Sequence, residues 1–414
     1  MAMEHATRRP LMLAALAGAA ALEAPAALAQ QQRPRPPGPA RPGQAAAPRE
    51  PQGTPASTPL GPFNTAARHA LIIDFDTGAT LLEKEADVSM PPASMSKLMT
   101  AYVVFEMLRA GRLRMDQELP VSRRAWQMGG SKMFVDINTT VRVDDLLRGV
   151  IIQSGNDACI VLAEAISGSE EGFAELLNER GRAIGLTRSN FRNSTGWPDP
   201  NHRMTCRDLA TLATRIIRDF PEYYPIYSEK SFKYHIAHAQ ENRNPLVQRG
   251  TGDGLKTGHI EESGYGLTGS SLRGGRRVVL VVNGLNSMRQ RAEESERLMD
   301  WSFREFENAT LFAAGATVET APVWLGAMPT VQLVPAAPLV VTVPRAWRRS
   351  AQVSVQYDTP IRAPIAKGQR VGALRMQGEG VPDMSVPLVA GHDVPEASFA
   401  GKVQQAFRAR VFGG

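Results

Sequence analysis

Three short strings, Ser94-Met-Ser-Lys97, Ser154-Gly-Asn156 and Lys256-Thr-Gly258, follow one another in that order and constrain this chain more than anything else in it. Each supplies a part that acyl transfer through a serine requires: a hydroxyl with an amine three residues on, a second hydroxyl beside an amide, and a cation followed by a hydroxyl and a glycine. A lone Ser-x-x-Lys is a common accident on a solvated helix face. Three such strings in this order demand a fold that brings separate elements to one cleft.

The sequence around them supplies those elements. Ala70-Leu-Ile-Ile-Asp-Phe75 reads as a buried strand, Asp76-Thr-Gly78 as a hairpin turn and Thr80-Leu-Leu82 as the returning strand. After Pro91-Pro92-Ala93, apolar Leu98, Tyr102, Phe105 and Leu108 recur at helical spacing and predict a helix over 94–109, stopped by Gly111. Further helices are expected at 143–152, 156–166, 172–184, 206–218 and 292–306, and strands at 254–257, 264–270 and 277–285. A sheet built from both ends of the segment, with a helical block inserted between, is an α+β plan. Beyond Phe312 the chain breaks into short β-branched runs divided by Pro and Gly, which predicts a small all-β domain over 314–395.

Composition bounds the rest. At 414 residues and 43% apolar content the chain can bury sizeable cores, and it is too polar for a polytopic membrane protein. Its net charge of +6 suits an anionic surface, but the basic residues are scattered, without the clustered helix or aromatic-interleaved stretch that would point to nucleic acid. Arg8-Arg9, an apolar run over 11–22 and the small residues Ala27-Leu-Ala29 make residues 1–29 an export signal. Residues 30–65 are rich in Pro, Gly, Ala and Gln with almost no large apolar side chain, so they are expected to form a disordered linker ahead of a catalytic domain over 66–313. Cys159 and Cys206 read as free thiols, Cys159 as small packing close to the site.

On one helix face, positions i and i+3 meet, so Ser94 Oγ and the Lys97 amine can touch and Lys97 can act as general base. It must then be partly neutral, and burial together with a nearby positive Lys256 would lower its pKa. Ser94 at a helix start would gain from the free backbone N–H groups there. Ser154 can relay a proton to a leaving amine and Asn156 can hold a substrate backbone, with some helix capping by the pair. Lys256 lies on a predicted edge strand, along which a substrate can add as a further strand; Lys256 and Thr257 can grip a carboxylate, Gly258 avoids a collision, and the His259 backbone N–H can join that of Ser94 as an oxyanion hole. The pair His235-Ile-Ala-His238 lacks an evident third ligand, so no metal is expected.

Pro92-Ala-Ser-Met-Ser-Lys97, Gln153-Ser-Gly-Asn-Asp-Ala-Cys159 and Asp253-Gly-Leu-Lys-Thr-Gly-His259 resemble the signatures of serine-type D-alanyl-D-alanine carboxypeptidases, the low-molecular-mass penicillin-binding proteins. The resemblance runs from about Ala67 to the C-terminus. It implies a transpeptidase-like catalytic domain, Ser94 as the acylated nucleophile with Lys97 as its base, Ser154 and Asn156 as the second motif, and Lys256 as the substrate-binding cation. Arg291 matches a family arginine near the substrate carboxylate, although its local pattern reads Arg-Ala-Glu-Glu instead of Arg-Glu-Ala-Glu. It further implies the peptidoglycan stem peptide as substrate, β-lactams as covalent inhibitors and no cofactor. A D,D-endopeptidase shares all three strings, but the β-rich second domain favours the carboxypeptidase. A class A β-lactamase would carry Ser-Asp-Asn and a deacylating glutamate, whereas Glu175-Leu-Leu-Asn178 here reads as core packing; a non-catalytic wall-binding protein would have lost the serine or the lysine.

The tail, residues 396–414, reads as one amphipathic helix. Phe399, Val403, Phe407 and Val411 fall four apart, with Lys402 and Arg408 away from that stripe. Such a helix is too short and charged to span a bilayer and is expected to lie on the periplasmic face of the cytoplasmic membrane, an anchoring that the resemblance also implies.

Overall fold

The computed structural model describes residues 54–347, 351–378 and 381–412. The expected export signal and the linker as far as residue 53 lie outside the described residues. The linker does not extend to residue 65. Ala56 is buried and bridges Phe63, Ser57 bridges Glu83, the Phe63 ring packs on Trp301 at 4.7 Å, and Thr65 Oγ1 donates to Glu294 Oε1 at 2.5 Å. The few apolar side chains in a Pro- and Gly-rich stretch suffice to order it where a sheet edge is there to receive them.

Strands β1 (His69–Asp74) and β2 (Thr80–Lys84) form the hairpin, a 3₁₀ turn covers Ala93–Ser96, and α1 runs from Lys97 to Arg109. The inserted block holds β3 (Glu118–Pro120), α2 (Arg123–Gln127), β4 (Thr140–Arg142), α3 (Val143–Ile151), α4 (Asn156–Ser167), α5 (Glu170–Ala183) and α6 (Cys206–Asp219). A small hairpin, β5 (Ser231–Phe232) with β6 (Gln240–Glu241), and α7 (Pro245–Arg249) lead to β7 (Gly254–Ile260), β8 (Gly264–Arg273), β9 (Arg276–Leu285) and α8 (Met288–Glu305). The main sheet is antiparallel in the order β2-β1-β9-β8-β7, so β7 is an edge, as its sequence suggests.

Both faces of this sheet are covered, which is why β9 reads as an unbroken apolar run. Val279 and Val281 face the helical block, while Val278, Leu280 and Val282 face Leu298, Met299 and Trp301 of α8. Helix α1 is the centre of the first core and is buried nearly all round, not along the one stripe that its apolar spacing marks. That burial reaches back to Lys97, at the first position of the helix.

The second domain begins at Phe306, earlier than the expected 314. Strand β10 (Phe306–Phe312) pairs with β13 (Leu339–Pro344), beside a six-stranded sheet of β11 (Glu319–Trp324), β12 (Thr330–Val334), β14 (Gln352–Gln356), β15 (Ile361–Arg362), β16 (Arg370–Gly378) and β17 (Val381–Ala390). The strand follows α8 without a turn residue between, so no punctuation in the sequence marks the change. Fully buried Asp74 fastens the two domains: it accepts from Arg276 Nε at 2.9 Å and Asn308 Nδ2 at 3.2 Å, and Thr77 and Thr342 hydroxyls meet at 2.5 Å.

Helix α9 (Phe399–Phe412) ends the described chain. Gln405 ties it to the β domain, accepting from Leu325 N at 2.9 Å and donating to Gly326 O at 3.0 Å. Phe399, Val403 and Phe407 stay exposed, at 84%, 54% and 64%. Among the described residues no helix is long and apolar enough to cross a membrane.

Candidate active site

Ser94 lies in the 3₁₀ turn, one turn before the α-helix proper, so the predicted helix start is displaced to Lys97. The tighter winding matters: in a 3₁₀ turn side chains at i and i+3 eclipse each other, and Lys97 Nζ stands 2.9 Å from Ser94 Oγ. The turn is entered through Ala93 at φ +48°, a left-handed conformation costing an L-residue of order 1 kcal/mol. Two glycines press against it and hold it there. A Cβ on Gly196 would lie 2.0 Å from the Ala93 carbonyl oxygen, and one on Gly258 would lie 2.8 Å from that of Pro92. Gly258 thus avoids a collision, as expected, and the collision is with the serine turn itself.

Lys97 is 1% exposed and also donates to the Thr195 carbonyl at 2.5 Å. Burial is the main reason its pKa falls from the ordinary lysine range to about 8, and the positive charge of Arg243 adds to the effect. Cys159, Asp157 and Glu170 act in the opposite sense. Arg243 is thus a like charge bearing on Lys97 that the sequence did not point to, in addition to Lys256. Lys256 is itself buried and pushed well below the lysine range, by burial first and Lys97 second. Each of these two buried ammonium groups disfavours the charge on the other, so their protons are lost as a pair and not independently.

The second string sits between α3 and α4. The expected capping by Ser154 or Asn156 does not occur: Gly155 is the N-cap, without a side-chain bond. Ser154 adopts φ +62°, and its buried Oγ has no hydrogen-bond partner among the described residues. A non-glycine in the left-handed region with an unsatisfied buried hydroxyl is costly as mere architecture and is the kind of strain that functional sites keep. Asn156 is engaged, donating from Nδ2 to the Gly129 carbonyl at 2.8 Å.

On the edge strand, Lys256 Nζ donates to the Thr257 carbonyl at 3.2 Å, and Lys256 and Thr257 are both buried. His259 is exposed, its ring stacked on Tyr265 at 3.9 Å. Arg291 reaches in from α8, 5.8 Å above the same Tyr265 ring; burial pushes its pKa down to about 10, and its Nε has no partner among the described residues. The nine residues singled out from sequence thus lie on four neighbouring pieces: the serine turn running into α1, the start of α4, the edge strand β7 and the first turn of α8.

Known proteins resemble this chain over most of its length. Residues 54–287 match the peptidase family described as D-alanyl-D-alanine carboxypeptidase, and residues 306–396 match the C-terminal domain of penicillin-binding protein 5. The D-alanyl-D-alanine carboxypeptidase DacC of Escherichia coli is 38% identical over 346 residues, 81% of this chain and 86% of its own length. Penicillin-binding protein 5 from Haemophilus influenzae superimposes with a TM-score of 0.73 at 36% identity, covering 81% of this chain and 100% of that one. Penicillin-binding protein D2 from Listeria monocytogenes, in its ampicillin-bound form, gives 0.53 at 29% identity over 58% of this chain and 98% of that one. This chain belongs to the D-alanyl-D-alanine carboxypeptidase family.

Several residues that shape the carboxypeptidase site lie outside the residues singled out from sequence. Arg243 is one: buried Asn242 and Asn244 flank it, bonding to the Tyr227 carbonyl at 3.1 Å and capping α7, while its guanidinium donates to Ser131 Oγ at 2.6 Å. The Asn-Arg-Asn triplet was a usable hint, since two buried asparagines fix the residue between them. Asp157 is another. Its fully buried carboxylate accepts from the backbone N–H groups of Met133, Phe134 and Val135 at 3.0, 2.8 and 3.2 Å and so pins the wall that includes Gly129. Glu175, the nearest sequence match to a deacylating glutamate, faces solvent on α5 instead of packing in the core; Leu177 takes that role, and Asn178 bonds to Phe191. Cys159 and Cys206 are buried and unbridged, and burial pushes the Cys159 thiol up to about 12, which keeps it out of nucleophilic chemistry.

Proposed function

We propose that this carboxypeptidase removes the terminal D-Ala from peptidoglycan stem pentapeptides through an acyl-enzyme on Ser94. The observation that carries the reading is the 2.9 Å contact between Ser94 Oγ and a buried Lys97 whose pKa lies near 8. Neutral Lys97 takes the Ser94 proton as Oγ attacks the penultimate carbonyl, and the backbone N–H groups of Ser94 and His259 receive the oxyanion. Ser154 passes the proton from Lys97 to the leaving D-Ala amine, and water then releases the acyl group by the reverse route. Lys256, Thr257 and Arg291 receive the terminal carboxylate. That anion favours the charged form of Lys256, which burial and Lys97 oppose. Asn156 turns from Gly129 to the substrate backbone. β-Lactams acylate the same serine, in line with the ampicillin-bound relative. Incubation with a pentapeptide muropeptide and mass spectrometry for free D-Ala tests this; a peptide returned intact would refute it.

Lys256→Ala should raise KM for peptide roughly ten- to a hundredfold, the worth of a charge-assisted hydrogen bond. Removing the like charge beside Lys97 should raise that lysine's pKa, so the pH limb it sets in kcat/KM should move to higher pH. Unchanged KM would leave Lys256 without a role in substrate binding.

We further propose that residues 1–29 export the chain and that α9 rests on the periplasmic face of the cytoplasmic membrane. Exposed Phe399, Val403 and Phe407 supply the apolar surface, and the net charge of +6 suits anionic lipid. Deleting residues 397–414 should move the protein from the membrane pellet to the soluble periplasmic fraction with peptide activity retained. So should the milder pair Phe399→Glu and Phe407→Glu; sedimentation of either form with membranes would sink the proposal.

A further inference from the structure

We infer that Glu170 is a positioning residue for the Lys97 base, acting through the turn that presents the Thr195 carbonyl to the amine. The inference rests on the reading of Lys97 as that base. Glu170 opens α5, a place where an acidic side chain ordinarily sits in water and interacts with the helix dipole. Here it is 7% exposed and turned inward. Its Oε1 accepts from Ser194 N at 3.0 Å and from Ser194 Oγ at 2.8 Å, and its Oε2 accepts from Arg124 Nη2 at 2.5 Å. A carboxylate taken out of water at a cost of several kcal/mol needs such compensation, and a helix-start acid with no other task could have avoided that cost.

The segment it holds touches every part of the nucleophile assembly. The Ser194 carbonyl accepts from Thr100 Oγ1 on α1 at 2.7 Å, the Thr195 carbonyl takes Lys97 Nζ, and Gly196 presses on Ala93. Asn193 Oδ1 accepts from Gly196 N at 2.8 Å and Trp197 N at 3.1 Å, so the turn is rigid within itself and moves as one piece. Glu170 fixes where that piece sits. In the neutral amine, one N–H spent on the Thr195 carbonyl sets the rotation about Cε–Nζ and leaves the lone pair free to face the Ser94 hydroxyl. Loss of the Glu170 contacts frees the carbonyl to drift and removes a negative charge that steadies the protonated form of Lys97. The other groups bearing on Lys97 are Asp157 and Cys159 on α4, Arg243 before α7, Lys256 on β7 and the buried His202. None of them bonds to the turn in its place.

The test is the rate of acylation by a fluorescent penicillin and kcat/KM for D-Ala release, each measured against pH in the full-length wild type, Glu170→Ala, Glu170→Gln and Ser94→Ala. Glu170→Ala should slow acylation roughly ten- to a hundredfold with KM for peptide little changed, as expected for a displaced base. Its acidic limb should move down by roughly half a unit or more, because both losses disfavour the lysine cation. Glu170→Gln, which keeps an acceptor for Ser194 but not the charge, should recover most of the rate while retaining a lowered limb. If Glu170→Ala fails to fold, the limb of Glu170→Gln decides the matter. Variants with the wild-type limb and rate, or a loss confined to the thermal midpoint, would overturn the inference. A wild type that is not acylated, or a Ser94→Ala that still is, would instead overturn the reading of Ser94 and Lys97 on which it rests.

Discussion

Ser94→Ala should abolish both covalent penicillin labelling and D-Ala release while the fold stays intact. The hydroxyl is not what holds the turn: Gly196 and Gly258 pack against its backbone, and Lys97 keeps its second contact, to the Thr195 carbonyl. The cost to stability is that of one hydrogen bond, about 1 kcal/mol, which for a domain of this size is a shift of roughly 2–4 °C in Tm. The neighbouring Ser96 offers no substitute, since it is 2% exposed and its Oγ donates to the Ala93 carbonyl at 3.1 Å. Labelling that persists in a folded Ser94→Ala protein would move the nucleophile elsewhere.

Lys97→Met should lower the acylation rate by about 10²–10⁴, the usual contribution of a positioned general base. Methionine keeps the length and apolar contacts of the lysine stem, so the loss reports the amine and not a cavity. The sign of the pH dependence follows from the direction of the shift. The base works only when neutral; a pKa near 8 leaves a minor neutral fraction below that pH, and kcat/KM in the wild type should climb with pH and level off above about 8. An unperturbed lysine would place the same limb near ~10.4. A profile flat from about pH 6 to 9 would remove Lys97 as the base, as would wild-type acylation by the methionine variant.

How much could be read in advance differs from residue to residue, for physical reasons. The Ser94 and Lys97 pair is legible because i and i+3 adjacency is local and follows from the winding alone, although it is a 3₁₀ turn and not the α-helix that brings the two atoms together. The edge position of β7 was legible from Lys-Thr-Gly, and the burial of Lys256 was not, because burial depends on what packs across from the strand. The share of helix capping expected of Ser154 and Asn156 is absent: local preference favours serine there, but the chain passes through Ser154 in a left-handed conformation and hands the cap to Gly155. The domain boundary at Phe306 was placed late because α8 runs straight into β10 with no turn residue between.

The sequence by itself determined the chemistry on offer and the elements that carry it: the serine and lysine one turn apart, the hydroxyl with its amide, the cation on a strand, the α+β plan and the all-β second domain. Those follow from periodicity and from contacts a few residues long. Only the tertiary structure decided what makes the chemistry possible. Lys97 is a usable base because α1 is enclosed on all sides, because Arg243 comes near it from a distant loop, and because Thr195 meets it from another. Desolvation and charge coupling are properties of whatever lies across a few ångströms of space, and residues far apart in the chain become such neighbours only when the sheet, the helical block and the turns between them are packed.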